Sequence, residues 1–279
     1  MKRAYGYPTP KKSLGQVMLV DAAVAGEIVD SLSLNEMGRV LEIGPGRGIL
    51  TKYLLQTGAQ VTCCEIDRRM GELLNRRFEA LPNFRLLLGD ILELNLNEIF
   101  PGEIFQAIGN LPYHLTSGIL FKFYDFVKGA WDCGESLRVE SLTVMLQKEV
   151  AERLVSQPGG RNWGVLSVFN SLYGETERVL EVPADCFKPK PQVDSTVVRL
   201  VFRKSYPFEI KDYNLFRTLV KTTFNQRRKM LRNTLKQFAI PDDVGIDLRK
   251  RPEELTAADF AALANAVEEN GHQSSVSGH

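Results

Sequence analysis

The feature that most constrains this chain is a regular alternation of short apolar runs and helical periods between residues 39 and 154. Each apolar run closes on a glycine or a polar residue. Arg39–Ile43 reads as a buried strand, followed by the turn Gly44-Pro-Gly-Arg-Gly48 and a helix from about Ile49 to Gln56. Gln60–Glu65 reads as a strand and Asp67–Ala80 as a helix. Phe84–Leu88 is a strand ending in Gly89-Asp90, and Phe105–Ile108 a strand ending in Gly109-Asn110, with a helix over Ile119–Val127. Leu142–Leu146 and Gln147–Leu154 form the last pair. Strands and helices alternating at this spacing specify an α/β fold: a mostly parallel sheet with helices on both faces. Two late β-rich runs, Val179–Val182 and Val193–Phe202, have no helix between them and suit an antiparallel edge. An earlier helix, capped by Asp21, runs to about Leu34.

Near residue 204 the strand signals stop. Only helical periods follow, at about 212–224, 226–238 and 253–268, so the chain divides into residues 1–203 and a small all-helical domain over 204–269. The polar stretch 270–279 reads as a disordered tail. Composition bounds the rest. With 44% hydrophobic and 25% charged residues the chain is not disordered. No apolar run approaches the ~20 residues of a membrane helix, and the N-terminus lacks the apolar core of a secretory signal. Four cysteines without CxxC spacing and three histidines argue against a structural zinc site, so no metal is expected. Free thiols without a signal fit a reducing cytosol, and the protein is expected to be cytoplasmic. The net charge is +1, but its distribution is uneven. Arg217 to Lys236 holds seven Lys/Arg and no acid, and residues 2 to 12 hold four more. Basic blocks of this kind suit a surface facing a polyanion.

Ligands of open α/β sheets bind beyond the carboxyl ends of the strands. Four features fall there: Gly44–Gly48, Glu65, Asp90 and Asn110. The glycines let backbone approach a ligand without Cβ contact. Glu65, at the second strand end, suits a ribose diol, and Asp90 an adenine amino group. The spacing is GxGxG, not the GxGxxG of dinucleotide binding. Glu42 adds a carboxylate that would repel a pyrophosphate and attract a sulfonium or an ammonium. These residues therefore favour S-adenosylmethionine over NAD. Asn110-Leu111-Pro112-Tyr113 lies at the same sheet edge. An exocyclic amine is a poor nucleophile because its lone pair is delocalised into the ring. The Asn110 side-chain oxygen and the Leu111 carbonyl can accept its N–H. Pro112 favours an extended Leu111, and Tyr113 offers a face for a base taken out of its helix.

The sequence resembles the KsgA-type dimethyltransferases of small-subunit ribosomal RNA, with the erythromycin-resistance methylases as cousins. The likeness runs over about residues 11 to 268. Its segments are Lys12-Ser-Leu-Gly-Gln16, Leu41-Glu-Ile-Gly-Pro-Gly-Arg-Gly48, Glu65-Ile-Asp67, Gly89-Asp90 and Gly109-Asn-Leu-Pro-Tyr113. Met145–Val150, Phe187-Lys-Pro-Lys-Pro-Gln-Val-Asp-Ser195 and Phe224-Asn-Gln-Arg-Arg-Lys229 complete them. The resemblance implies a Rossmann-like S-adenosylmethionine-dependent sheet and a helical RNA-binding domain. It implies cofactor contacts at Gly44, Glu65 and Asp90, and at Gln16 and Leu19 in an N-terminal segment (1–20) that closes over the cofactor. Glu42, Gly46, Ile66, Ile91 and Asn110 join this set. Asn110 and Leu111 would hold the target amine, and Tyr113 and Phe187 would sandwich the flipped adenine. The implied substrate is a pair of adjacent adenines in a hairpin near the 3′ end of small-subunit RNA, each dimethylated at N6. The protein would act as a monomer on immature small subunits. The expected RNA grip is Arg217, Lys221, Arg227, Arg228, Lys229 and Arg232. If 217–236 were one helix, Arg217, Lys221, Arg228 and Arg232 would share a roughly 60° arc.

One departure is visible. Where the family reads Gly-Gln-Asn-Phe-Leu, or His for Asn, this chain reads Gly15-Gln-Val-Met-Leu19. Val17 has no side-chain hydrogen bond to give, a loss on the order of 1–3 kcal/mol in cofactor binding. Three rival readings stay open at this level: an NAD-linked oxidoreductase, an assembly factor with weakened activity, and a resistance methylase acting on large-subunit (23S) RNA.

Overall fold

The computed structural model describes residues 17–112, 114–238, 240–241 and 244–276. It divides into two compact units. The first takes the chain to Ala151 and then Thr176–Lys204; the second takes Glu152–Glu175 and the chain from Ser205 onward. The sequence boundary at 204 coincides with one of these junctions. The transfer of 152–175 to the second unit had no composition signal, because no Pro- or Gly-rich linker frames it.

The first unit begins with β1 (Met18–Leu19) and α1 (Ala22–Asp30), capped by the Asp21 carboxylate, which accepts from the Ala23 and Val24 N–H groups. The alternation follows as β2 (Arg39–Ile43), α2 (Ile49–Gln56), β3 (Gln60–Glu65), α3 (Arg68–Phe78), β4 (Phe84–Leu88) and α4 (Leu96–Ile99). It continues with β5 (Phe105–Asn110), α5 (Thr116–Cys133), β6 (Val139–Gln147) and α6 (Lys148–Leu154). After α7 (Val165–Tyr173), which belongs to the second unit, come β7 (Gly174–Val182), β8 (Phe187–Lys188) and β9 (Ser195–Phe202). Seven strands make one sheet in the order β4-β3-β2-β5-β6-β9-β7. β4, β3, β2, β5 and β6 run parallel, and β9 joins β6 antiparallel. The expected antiparallel edge is therefore present. β1 and β8 form a separate antiparallel pair.

This order places a topological switch between β2 and β5. The connection leaving β2 goes one way along the sheet and the connection leaving β5 goes the other. Their turns part at the carboxyl edge and leave a crevice, the usual ligand position of such sheets. Both flanking turns carry sequence-predicted site residues, Gly44–Gly48 and Asn110.

Two glycines make this edge possible. Gly48 has φ +77°, and a Cβ there would lie 2.7 Å from Leu74 and 2.8 Å from Phe78, so α3 packs on bare backbone. Gly109 lets β5 approach β2: a Cβ would lie 2.7 Å from the Ile43 carbonyl oxygen.

In the second unit, α8 (Tyr213–Phe224) is capped by Asp212 and buries Phe216, Leu219 and Val220. The chain then turns, forms the short α9 (Leu231–Thr234), and ends in α10 (Ala257–Val276). Buried Trp163 donates from Nε1 to the Leu255 carbonyl, 2.9 Å away, tying the 152–175 segment to the C-terminal part. Two expectations are corrected. The period over 226–238 is not one helix, because Asn225 ends α8 and Met230 is extended at φ −66°, ψ 150°. The stretch read as a disordered tail from 270 continues α10 through Val276, since adding residues to an existing helix avoids the cost of a new nucleus; 277–279 lie outside the described residues. No helix among the described residues is long and apolar enough to cross a membrane.

Gly48→Ala should lower unfolding free energy by about 2–4 kcal/mol, combining left-handed backbone strain with overpacking against Leu74 and Phe78. Urea denaturation of the two proteins measures this.

Candidate active site

The crevice at the switch point is a cleft with a cavity volume of about 120 Å³. Its floor is the turn after β2. Gly44 and Gly46 adopt φ +66° and +56°, and a Cβ on either would meet nothing closer than 3.7 Å, so the space over the turn is open. The turn is tied down by Glu65 at the end of β3. One carboxylate oxygen accepts the Gly46 N–H at 3.0 Å, and the other the Asp67 N–H at 2.8 Å. Glu65 is 3% exposed. Burial pushes its pKa up, and the backbone N–H donors of Asp67 and Gly46 oppose that rise. A carboxylate has about four lone-pair sites, so acceptor capacity remains for ligand hydroxyls.

Glu42 lies under the same turn, 1% exposed. Its Oε2 accepts the Thr51 hydroxyl at 2.6 Å and the Cys63 thiol at 3.3 Å. Burial raises its pKa to about 7; the Thr51 and Cys63 donors oppose the rise and the nearby Glu65 charge adds to it. The same surroundings push the Cys63 thiol well up, chiefly through burial and then through Glu42. Two acids thus share a buried space, and a bound cation would relieve both.

The opposite wall comes from the turns after β3 and β4. Asp90 closes a local turn with Oδ1, which accepts the Leu92 N–H at 2.9 Å. Among the described residues nothing donates to its Oδ2. Ile66 is 49% exposed and Ile91 is buried, and both line the cleft. An exposed isoleucine opposite a buried one offers apolar surface to a flat base. Lys122 supports this wall by donating from Nζ to the Leu92 carbonyl at 2.9 Å.

The third wall is Asn110-Leu111-Pro112, with His114 and Leu115 beyond. Asn110 Nδ2 donates to the Val17 carbonyl at 2.8 Å. This leaves Oδ1 without a donor among the described residues. The turn closes through the Leu115 N–H on the Pro112 carbonyl at 2.9 Å. No described residue donates to the Leu111 carbonyl. Val17, Met18 and Leu19 form the roof, with Met18 Cε 3.7 Å from the Cβ position of Gly46.

The structure thus brings Leu19, Glu42, Gly44, Gly46, Glu65, Ile66, Asp90, Ile91, Asn110, Leu111 and Pro112 to one cleft. Gln16 and Tyr113 lie outside the described residues. Phe187 is a correction: at 2% exposure it packs in the core with Leu19 and Val182, and it does not line the cleft. Its place in β8, opposite Leu19 of β1, turns the ring inward. Sequence reasoning missed Met18, His114 and the Val17 backbone. No group of three or more His, Cys, Asp or Glu able to hold a metal occurs among the described residues.

In the second unit Lys221, Arg228, Lys229 and Arg232 are exposed, and Arg217 is half-buried. The break after α8 removes the expected shared helical face. Arg227 is drawn inward: its Nη2 donates to the Arg161 carbonyl at 2.7 Å, and its Nε lies 3.7 Å from Glu253. The Leu231 N–H donates to the Lys250 carbonyl at 2.9 Å, setting exposed Lys250 beside the start of α9, a neighbour the sequence did not reveal.

Sheet order, glycine turn and strand-end acids together define a Rossmann-like methyltransferase. A model of the ribosomal RNA adenine dimethylase family matches residues 8–269. The chain belongs to that family. It is 37% identical over 263 residues to the ribosomal RNA small subunit methyltransferase A of Pseudomonas syringae pv. syringae, covering 93% of this chain and 95% of the relative. Among solved structures, a dimethyladenosine transferase from Plasmodium falciparum shares the fold, with TM-score 0.72 at 24% identity over 91% of this chain and 98% of that one. The 23S rRNA methyltransferase ErmE matches with TM-score 0.67 at 26% identity, over 90% of this chain and 99% of that one.

Glu42 predicts a pH dependence. Its folded pKa, about 7, lies above the 4.5 of a free glutamate. The folded state is therefore favoured by the protonated acid. That contribution is full below pH 4.5 and is lost as pH rises through 7. Glu42→Gln keeps the acceptor for Thr51 and Cys63 but cannot ionise. Relative to wild type it should gain roughly 3 kcal/mol between pH 4.5 and 8, measured by denaturant unfolding across that range.

Proposed function

We propose that this chain dimethylates N6 of two adjacent adenines in a hairpin near the 3′ end of small-subunit ribosomal RNA, with S-adenosylmethionine as donor. The observation that carries the reading is the Asn110 carboxamide. Its nitrogen is taken by Val17 and its oxygen is open, on the same rim as the glycine turn. The 37% identity, over 93% of this chain, to a relative named ribosomal RNA small subunit methyltransferase A supports the RNA assignment.

The cleft fits this cofactor. Gly44 and Gly46 would admit its backbone-facing side, Glu65 its ribose hydroxyls, Asp90 Oδ2 its adenine amino group, and Ile66 and Ile91 its base. Glu42 and Glu65 supply negative charge toward a cation. When bound, S-adenosylmethionine supplies a methyl group on a sulfonium, open to in-line displacement by the target amine. Asn110 Oδ1 accepts an N–H of that amine and turns its lone pair out of the ring plane. The Leu111 carbonyl is the second acceptor for the same N–H. Sharing one N–H lets the site take a monomethylated amine in the second round. Catalysis here is mostly positioning, and no strong base is needed if the cationic product amine yields its proton to water. Tyr113 remains our choice for stacking the extruded base.

Lys221, Arg228, Lys229 and Arg232, with Lys250, suit phosphate contacts. Arg217 and Arg227 contribute less, because each is half-buried and Arg227 serves its own chain. Every described wall of the cleft comes from this one chain, which is the support for a monomeric enzyme. A ribosomal RNA substrate and free cysteines support a cytoplasmic one.

The direct test is mass spectrometry of RNA from unmethylated small subunits, incubated with the protein and labelled donor. Dimethyladenosine at adjacent positions near the 3′ end is expected; label only in large-subunit RNA, or none, overturns the reading. Asn110→Ala should cut turnover about 100-fold while leaving cofactor affinity within about twofold. Arg228→Ala, Lys229→Ala and Arg232→Ala should each lower the slope of log affinity for RNA against log salt by about 1. Filter binding between low and moderate salt reads those slopes.

A further inference from the structure

We infer that the backbone carbonyl of Val17 is a positioning group for the reaction: it sets which end of the Asn110 carboxamide faces the substrate. The inference rests on the role proposed above for Asn110. A carboxamide has two ends of similar shape and opposite hydrogen-bonding character. Only its oxygen can accept from a target N–H; the other rotamer would set N–H against N–H. A backbone carbonyl can only accept, so the 2.8 Å contact from Asn110 Nδ2 selects the rotamer that turns Oδ1 to the cleft. No other described residue bonds this side chain.

The carbonyl is itself held by the strand pair that follows it. Met18 stands opposite Lys188 and Leu19 opposite Phe187, and the Val20 N–H donates to the Cys186 carbonyl at 2.8 Å. Leu19 is buried in the core and Met18 lies over Gly46. Docking of this N-terminal strap and alignment of the amine acceptor are therefore a single event. The register of the strap matters, and the side chain at 17 does not enter. A chain with valine there keeps the device intact, although Val17 offers no polar side chain.

The test weakens the carbonyl without touching any side chain. Met18 is replaced by its α-hydroxy acid in the full-length protein through nonsense suppression in cell-free translation. The Val17 carbonyl then belongs to an ester, a weaker acceptor. The swap is made in wild type and in Asn110→Ala, and single-turnover methyl transfer and cofactor affinity are measured in all four proteins. The ester also removes the Met18 N–H from the strand pair, a loss that both backgrounds share. We expect the ester to slow transfer about three- to tenfold in wild type and less than about twofold in Asn110→Ala. Equal slowing in both backgrounds overturns the inference. If Asn110→Ala is too slow to time, the Asn110 side-chain NH₂ resonance, identified by its loss in that variant, is read instead. The ester must move it upfield, and an unmoved resonance overturns the inference. Asn110→Ala transferring at the wild-type rate would instead overturn the role of Asn110 itself.

Discussion

The cleft depends on one buried carboxylate. Glu65 ends β3, and its two oxygens pin the Gly46 N–H of one turn and the Asp67 N–H at the start of α3. Without those donors a carboxylate at 3% exposure would be costly to bury. With them it fixes the glycine turn as a floor with open space above it. The same oxygens keep lone pairs beyond those two bonds, so the group that builds the site is also the one proposed to receive a ribose diol. Removing it would cost the shape of the cleft before it cost any single contact.

Charge follows from the same packing. Glu42 and Glu65 are both buried beside the glycine turn and both are harder to ionise for that burial, and the charge of Glu65 raises Glu42 further. A donor carrying a sulfonium and an ammonium would turn that mutual repulsion into attraction, whereas a pyrophosphate would add to it. In the second unit the exposed Lys221, Arg228, Lys229 and Arg232 fall within a stretch, 217–236, that has no acid. Under the proposed function, the buried acids of the cleft would meet a cationic donor and the basic stretch a polyanion.

The sheet was legible because each of its strands is an apolar run closed by a glycine or polar residue, a local signal. β2, β3 and β4 fall where the pattern put them. Glu42, Glu65, Asp90 and Asn110 could be placed because a parallel sheet sends every strand end to one edge. What was not legible depends on non-local contact. α7 is amphipathic only against its partners in the second unit, and nothing in its own residues announced the transfer. Phe187 looks like a stacking aromatic in a proline-rich loop until its pairing with Leu19 turns it inward. The helical period read over 226–238 breaks because Met230 is extended, and with it goes the basic face that a single helix over 217–236 would have had. Val17 has no polar side chain, and the contact it makes is through backbone, which no residue identity reports.

The central claim is spatial: the methyl donor and the receiving nitrogen share the rim between the glycine turn and β5. A crystal structure of the protein with S-adenosylmethionine tests it most directly. The adenosine is expected along Glu65, Ile66 and Asp90, and the methyl carbon directed at the open side of the Asn110 carboxamide. A methyl group facing away from Asn110, or a donor bound outside this cleft, would contradict it.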